Sequence, residues 1–163
     1  MPINRGLMSS NTPEWETPQA FFDKLDTEFH FTLDAAATPE NAKCERFYTL
    51  KENALWQPWD GIVWCNPPYG RIIGKFVRKG YEEAQRGATV VMLIPSRTDT
   101  KYWHNYVMGA KEIRFIKGRL CFSENGRSGR APFPSAVVVF EKGDYQPVIS
   151  TIEGNRGGEK EDA

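Results

Sequence analysis

The stretch Asn66-Pro67-Pro68-Tyr69 has the residue types and spacing best suited to a chemical reaction. Proline fixes φ, lacks an N–H and pushes the preceding residue into extended geometry, so Asn-Pro-Pro is a stiff segment with outward-pointing acceptors. The Asn66 side-chain oxygen and the Pro67 carbonyl could accept both N–H groups of an aromatic amine, such as the 6-amino group of adenine. This turns the delocalised lone pair of the amine toward an incoming methyl group, which requires positioning rather than a strong base. Tyr69 could stack on the base, which would have to flip out of a duplex.

The same stretch, ending in Tyr69-Gly70, is also typical of a simple turn, because Asn, Pro and Gly are common turn residues. Its position directly after the continuous apolar run 61–65 favours a site. In open α/β sheets, ligands bind beyond the carboxyl ends of the strands.

Five apolar runs have the character of strands, and three segments have helical periodicity. The strand candidates are 29–34, 61–65, 89–94, 113–115 and 136–140, and the helix candidates are 18–25, 40–47 and 72–86. This alternation predicts an α/β fold with a mostly parallel sheet. Segment 120–135 is rich in Gly, Ser, Arg and Pro and leaves no room for a helix, so the last two strands are predicted to form a C-terminal antiparallel hairpin.

Three of the predicted strands run into polar or small residues at their carboxyl ends. The first is followed by Asp34-Ala35-Ala36-Ala37, the second by Asn66-Pro67-Pro68 and the third by Ser96-Arg97-Thr98. We expect the three ends to converge on one cleft.

A chain of 163 residues fits one domain. We expect a flexible N-terminus over 1–14, a single domain over 15–150 and a flexible tail over 151–163. No apolar run approaches the roughly 18 residues of a membrane span, and no signal peptide is evident. A cytoplasmic protein that does not contact membranes is therefore expected.

The three cysteines and two histidines are widely spaced and match neither a disulfide framework nor a metal site. Reduced thiols and no bound metal are predicted. Net charge is zero, but residues 71–130 carry 13 Lys and Arg against 5 Asp and Glu, a net +8, whereas the rest carries 8 against 16, a net −8. This asymmetry is compatible with a surface for nucleic acid or with an ordinary solvated face.

Asn66-Pro67-Pro68-Tyr69 resembles the (D/N/S)-P-P-(Y/F/W) signature of amino-methyltransferases. The wider pattern, over about residues 15–141, resembles the phage-type DNA N-6-adenine-methyltransferase family, through Thr17-Pro18, Leu33-Asp34-Ala35-Ala36-Ala37, Asn53-Ala54-Leu55 before Trp59, Trp64 to Gly70, and Pro95 to Thr100. The short signature is shared with RNA adenine-N6 and protein-glutamine N5 methyltransferases. These two activities are the enzymatic alternatives, and a DNA-binding module without activity is a third.

The resemblance implies a Rossmann-like, S-adenosylmethionine-dependent methyltransferase fold that acts on adenine in DNA and releases S-adenosylhomocysteine. It implies phage or prophage origin in a bacterial host and a role in restriction-modification. Because the chain has no spare domain for recognition, we expect a short or lax target sequence, or help from a homodimer. The implied catalytic residues are Asn66, Pro67, Pro68 and Tyr69, the cofactor-binding residues are Thr17, Pro18, Asp34, Ala35, Ala36, Ala37, Asn53 and Asn66, and the DNA-binding residues are Tyr69, Arg97, Arg127 and Arg130.

Several of these residues have a second interpretation. Asp34 could bind the cofactor's ammonium group or cap a helix. Arg97 could hold a phosphate or order a loop. Phe122 and Phe133 could stack on the base, but a place in the core is the favoured interpretation. The chain lacks the glycine-rich loop of larger methyltransferases, and it has Asn53 where the family more often has Asp.

Overall fold

In a computed structural model, the described residues are 16–124 and 127–154, without the side chains of 122–130. Their helices are α1 (Gln19–Phe29), α2 (Ile73–Gln85) and α3 (Lys101–Asn105), with short 3₁₀ turns at Ala54–Trp56 and Val107–Gly109. The strands are β1 (Leu33–Asp34), β2 (Ile62–Cys65), β3 (Thr89–Pro95), β4 (Glu112–Lys117), β5 (Cys121–Glu124), β6 (Arg127–Arg130), β7 (Ser135–Phe140) and β8 (Val148–Glu153).

Six of these strands form one mixed sheet in the order β1-β2-β3-β7-β4-β8. The pairs β1–β2, β2–β3 and β4–β8 are parallel, while β7 is antiparallel to both β3 and β4. Five strands therefore run one way and β7 runs the other. The prediction of an α/β fold with a largely parallel sheet is confirmed, and so is the antiparallel pairing of β4 with β7.

The connection between β4 and β7 contains a small two-stranded sheet, β5–β6. As predicted, the described part of this connection contains no helix. Strand β7 lies between β3 and β4 and not at the edge of the sheet. Strand β8 forms this edge of the sheet. No strand was predicted in this part of the sequence. Residues 151–153, assigned from the sequence to a flexible tail, belong to β8; residues 1–15 and 155–163 lie outside the described part.

Two hydrophobic clusters cover the two faces of the sheet. On one face, Phe76 and Val77 of α2 pack with Val63, Met92 and Val138. On the other face, Phe22 and Leu25 of α1 pack with alternate residues of the same strands, namely Trp64, Val91, Leu93, Val137 and Val139. Burial on both faces explains the continuous apolar runs of β2, β3 and β7.

The predicted helix over 40–47 is wrong, because this segment consists of turns and bends. The Asp34 carboxylate accepts the Lys43 N–H at 3.0 Å, and Thr38 and Asn41 exchange side chain–backbone hydrogen bonds. Such local bonds compete with the helical backbone ladder. The strand expected over 29–34 is also much shorter, since Phe29 ends α1 and only Leu33–Asp34 pair with β2.

Among the described residues, no helix is both long and apolar enough to cross a membrane. The same residues contain no group of three or more His, Cys, Asp or Glu side chains that could hold a metal ion. Within the described residues, Cys44, Cys65 and Cys121 form no disulfide bond.

Candidate active site

A cleft with two lobes lies at the carboxyl ends of β1 and β2. The first, which we call the apolar lobe, encloses about 490 Å³ of empty space, part of it open solvent, and is lined mainly by apolar side chains and small residues: Ala35, Ala36, Ala37, Tyr48, Thr49, Leu50, Asn53, Ala54, Asn66, Pro68, Ile72 and Phe76. The second, the polar lobe, encloses about 260 Å³, likewise partly open solvent, and is lined by Glu16, Thr17, Asp34, Ala36, Asn41, Lys43, Trp64 and Asn66. Asn66 and Ala36 line both lobes, so the two lobes meet there.

The wall of the apolar lobe is built by backbone hydrogen bonds around the first strand end. The Ala35 N–H donates to the Trp64 carbonyl at 2.9 Å, and the Ala37 N–H donates to the Tyr48 carbonyl at 2.9 Å. These bonds hold the three alanines beside β2, and their small side chains leave room for the apolar lobe. On the opposite wall, Asn53 adopts a left-handed conformation with φ 52° and leads into the 3₁₀ turn Ala54–Trp56.

Asp34 is the buried carboxylate of the polar lobe, with 2% of its surface exposed. One carboxylate oxygen accepts the Ala36 N–H at 3.2 Å and the other accepts the Lys43 N–H at 3.0 Å. Burial raises the pKa of Asp34 to about 6, although the two N–H donors and the Lys43 charge oppose the shift. Asp34 is thus not a helix cap, because no helix follows it; it ties the loop of the polar lobe together.

Lys43 is the cation of this lobe. It lies in a segment predicted to be helical, where no sequence pattern marked it as a site residue. Its ammonium donates to the Gln19 side chain at 2.9 Å. Burial lowers the pKa of Lys43, while Glu16, Asp34 and Asp23 act in the opposite direction. One cationic residue, Lys43, and two acidic residues, Glu16 and Asp34, therefore line the same small lobe.

Asn66 is fixed at the junction of the lobes by two hydrogen bonds. Its Nδ2 donates to Thr17 Oγ1 at 3.1 Å, and its Oδ1 accepts the Tyr69 hydroxyl at 3.0 Å. Thr17 is buried and lies just before α1, which explains how a residue 49 positions away reaches the Pro-Pro segment. The amide is oriented, and its oxygen already has a donor.

Tyr69 points into the protein and lines neither lobe. Its side chain is 7% exposed, its ring meets Phe133 edge-on at 5.4 Å between centroids, and burial raises its pKa well above the usual value. Beyond it, the Arg97 guanidinium lies 5.7 Å from the centroid of Phe133. Tyr69, Phe133 and Arg97 thus form a continuous row at the end of β3.

The predicted site residues therefore separate into groups. The cleft brings together Thr17, Asp34, Ala35, Ala36, Ala37, Asn53, Asn66 and Pro68. Pro18 precedes α1 and lines neither lobe, Pro67 is buried, and Arg97 is exposed beside Phe133. The side chains of Arg127, Arg130 and Phe122 lie outside the described part.

Lys43, Leu50, Ile72 and Phe76 line the cleft but were not predicted. Ile72 and Phe76 stand three and seven residues after Tyr69, at the start of α2. Their apolar periodicity was visible in the sequence, but it did not distinguish a cleft wall from the core.

An α/β sheet with an Asn-Pro-Pro-Tyr segment at a strand end, next to a cleft with one apolar and one charged lobe, is typical of amino-methyltransferases. The family model for DNA N-6-adenine-methyltransferase (Dam) matches residues 6–161. The chain belongs to this family, whose members methylate adenine in DNA at N-6.

Two relatives from phages carry the same description. The DNA N-6-adenine-methyltransferase of Escherichia phage T1 is 34% identical over 143 residues, which cover 80% of this chain and 60% of that protein. The DNA N-6-adenine-methyltransferase of Haemophilus phage HP1 is 32% identical over 147 residues, which cover 83% of this chain and 85% of that protein. The resemblance inferred from the sequence is confirmed.

Proposed function

We propose that this chain transfers a methyl group from S-adenosylmethionine to the N6 amino group of a flipped adenine in DNA, within a Rossmann-like methyltransferase fold. The observation that carries the proposal is the pair of lobes that meet at Asn66. One lobe is apolar and lies beside the Pro-Pro segment, and the other is lined by Lys43 and by the acidic residues Glu16 and Asp34.

The lobes differ as the two ends of S-adenosylmethionine differ. The apolar lobe suits an adenine ring, and Asn53 offers both a donor and acceptors for its polar edge. The polar lobe suits the aminocarboxylate end, where Asp34 would pair with the ammonium group and Lys43 with the carboxylate. When bound, the cofactor supplies a methyl group on a positively charged sulfur.

The chain's own contribution to the reaction is to orient the target amine. The Asn66 Oδ1 and the Pro67 carbonyl would accept its two N–H groups and leave the nitrogen lone pair facing the junction of the lobes. Thr17 keeps the Asn66 amide in the orientation that presents oxygen, because it accepts the hydrogen bond from Nδ2. Tyr69 donates to the same oxygen, whose second lone pair can accept an N–H of the amine.

The test is Asn66→Ala. We expect methyl transfer to fall by about 100-fold or more, the loss typical for a positioned polar group that acts in the transition state, while the affinity for S-adenosylmethionine changes by less than about tenfold. Methylation is measured by digestion of treated DNA to nucleosides and mass spectrometry, with RNA and protein substrates in parallel. Cofactor affinity is measured by calorimetry.

Asn105→Ala is the matched control, because Asn105 is an exposed asparagine in α3. It should behave as the wild type in both assays. Unchanged methyl transfer by Asn66→Ala would eliminate the catalytic assignment. Methylation of RNA or protein in preference to DNA would eliminate the proposed substrate.

A further inference from the structure

Strand β8 (Val148–Glu153) is an edge strand without the features that usually protect the edge of a sheet. An exposed edge offers unpaired N–H and C=O groups to other strands, and proteins block it with charged residues, prolines, bulges or a covering segment. At the opposite edge, segment 46–48 covers β1 through backbone hydrogen bonds to Asp34. Residues 148–152 include no charge and no proline, and within the described residues no strand pairs with the outer side of β8.

The backbone direction of β8 shows which groups this edge presents. Val148 donates its N–H to the Lys111 carbonyl at 3.0 Å, so the backbone groups of Val148 point toward β4. In a parallel pair, successive residues direct their backbone groups to opposite sides. The N–H and C=O groups of Ile149 and Thr151 therefore point outward.

A second copy of β8 fits this edge in an antiparallel register that matches the side chains. When Ser150 lies opposite Ser150 of the second copy, Ile149 lies opposite Thr151 and Val148 lies opposite Ile152. Each pair of Ile149 with Thr151 then exchanges both backbone hydrogen bonds. β-branched pairs on one face stabilise antiparallel strands, and the segment has no charge that would repel its copy.

The residues that flank this segment limit the pairing to one register. The next outward residue, Glu153, would face Pro147, which has no N–H to donate. Its carbonyl instead accepts Lys24 Nζ at 3.1 Å. A register shifted by one residue would put the Glu153 carboxylate opposite Ile149. The match of apolar with apolar residues therefore favours the register centred on Ser150.

We propose that two copies of this chain form a homodimer through their β8 strands, about a two-fold axis at Ser150. The two six-stranded sheets become one continuous sheet. Because β8 pairs antiparallel with its copy, and because β1 and β2 run in the same direction as β8, the two clefts open at opposite ends of the joined sheet. Each cleft therefore acts independently, and the inference does not rest on the proposed function.

Ser150→Cys tests the register by disulfide formation under mild oxidation. Opposed residues that exchange no hydrogen bonds have Cα atoms about 4.5 Å apart, which is within disulfide range, so we expect a covalent dimer. Thr151→Cys is the matched control, because its two copies are offset by two residues and lie roughly 8 Å apart, beyond that range. Wild type is oxidised in parallel to account for Cys44, Cys65 and Cys121.

Non-reducing electrophoresis separates the products. A covalent dimer from Ser150→Cys alone is the expected result. A covalent dimer from Thr151→Cys in place of Ser150→Cys, or from neither variant, would overturn the proposal.

Ile149→Lys tests the association itself, because lysine on an edge strand opposes pairing. Two pairs of Ile149 with Thr151 are lost per dimer, so the dimer Kd should rise by about tenfold or more. Trp56→Lys, at an exposed apolar residue between β1 and β2, should keep the wild-type Kd. Sedimentation equilibrium measures the three proteins over a range of concentrations, since a small interface dissociates on dilution.

Wild type that stays monomeric up to about 1 mM, where even weak specific contacts are populated, would overturn the proposal. So would an equal Kd for wild type and Ile149→Lys.

Two further measurements separate association from folding and from catalysis. At a concentration where the wild type is monomeric, Ile149→Lys should have the same thermal unfolding temperature, because Ile149 is exposed in the single chain. Its kcat/KM for DNA methylation should also equal that of the wild type. A folded Ile149→Lys monomer with lower kcat/KM would overturn the arrangement with opposed clefts. Should Ile149→Lys unfold at a lower temperature, the disulfide of Ser150→Cys still decides the proposal.

Discussion

Asp34 illustrates how one carboxylate can serve both the loop and a ligand. Its two oxygens accept backbone N–H groups of Ala36 and Lys43, yet burial still raises its pKa to about 6. The ionised form is therefore costly in the free protein. A ligand with a positive group in the polar lobe would favour that form, so binding and ionisation of Asp34 would be linked.

The first prediction is that affinity for S-adenosylmethionine depends on pH through Asp34. The ligand's ammonium pairs with the ionised carboxylate, so affinity should rise about tenfold per pH unit below pH 6 and level off above it. Calorimetry between pH 4.5 and 7.5 measures this slope. Protonated Asp34 contributes stability to the free protein that is present below its ordinary pKa and lost as pH rises through about 6.

Asp34→Asn tests whether Asp34 causes the pH dependence. The quantity compared is the slope of S-adenosylmethionine affinity against pH, and not the affinity at one pH. Asparagine has one acceptor oxygen, so it cannot accept from both backbone N–H groups and will weaken the loop at every pH. Its affinity should be nearly independent of pH, whereas Asp144→Asn, an exposed control, should keep the wild-type slope. An unchanged slope in Asp34→Asn would assign the dependence to another group.

At the scale of elements, helix α2 matters because it carries one wall of the cleft and is anchored to the neighbouring loop. Glu83 of α2 is 5% exposed and accepts hydrogen bonds from the Trp59 N–H at 3.3 Å, Lys79 at 2.8 Å and Arg86 at 2.6 Å. Burial alone would raise its pKa, but these donors hold the pKa of Glu83 below its usual value. The contact with Trp59 fixes the segment that leads from the 3₁₀ turn into β2.

We predict that Glu83→Gln lowers the free energy of unfolding by about 2 kcal/mol, since it leaves the partly buried Lys79 ammonium without a carboxylate. Urea unfolding at pH 7 measures the loss. Glu82→Gln on the same helix removes an exposed pair with Arg78 and should leave the free energy of unfolding close to that of the wild type. Equal effects of the two substitutions would contradict a structural role for the buried carboxylate.

The same elements explain what the sequence could predict. The continuous apolar runs of β2, β3 and β7 and the stripe of α2 follow directly from burial, so their existence and the location of the Asn66 segment at a strand end were predictable. Segment 40–47 was wrongly predicted to be a helix. The side chains of Asp34 and Thr38 accept hydrogen bonds from its backbone N–H groups, and the side chain of Asn41 accepts the Thr38 N–H. No periodicity in the sequence indicates these hydrogen bonds. Because of that error, Lys43 was not predicted to be a residue of the polar lobe.

The position of β7 and the pairing of β8 could not be predicted, since they depend on contacts between segments far apart in the chain. Strand β8 has the sequence Val-Ile-Ser-Thr-Ile-Glu, in which apolar and polar residues do not alternate. Its Val148 and Ile149 are 64% and 56% exposed, so burial does not select apolar residues there. Likewise, no local pattern indicated that Tyr69 would turn inward against Phe133, because the partner is 64 residues away.

At the scale of the whole molecule, several cations of the basic segment 71–130 are held in ion pairs and are not free to meet DNA. Arg78, Lys79, Arg86, Lys111 and Arg114 all pair with glutamates, and Arg114 bonds both Glu28 and Glu112. Glu82, Glu83 and Glu112 are already counted in the net +8, so only the pairs with Glu28 and Glu141 neutralise part of that excess from outside the segment. Cations that serve DNA binding must come from the remainder, and Arg97 stands beside the row of Tyr69 and Phe133.

We predict that Arg97 contacts a DNA phosphate next to the flipped base. Neutralising one phosphate releases about one condensed counterion, so Arg97→Gln should reduce the slope of log affinity against log salt by about one. Arg97→Gln should also weaken binding uniformly across DNA sequences, which distinguishes a phosphate contact from a base contact. Fluorescence anisotropy with labelled duplexes between about 50 and 200 mM salt measures both quantities.

Lys142→Gln is the control for loss of one positive charge, because Lys142 is an exposed residue in the loop between β7 and β8, at the end of β7 opposite Ser135. If the slope depends on net charge alone, the two variants should shift it equally. If it depends on a local contact, only Arg97→Gln should shift it. A normal slope with a lower unfolding temperature in Arg97→Gln would instead mean that the guanidinium serves only to pack on Phe133.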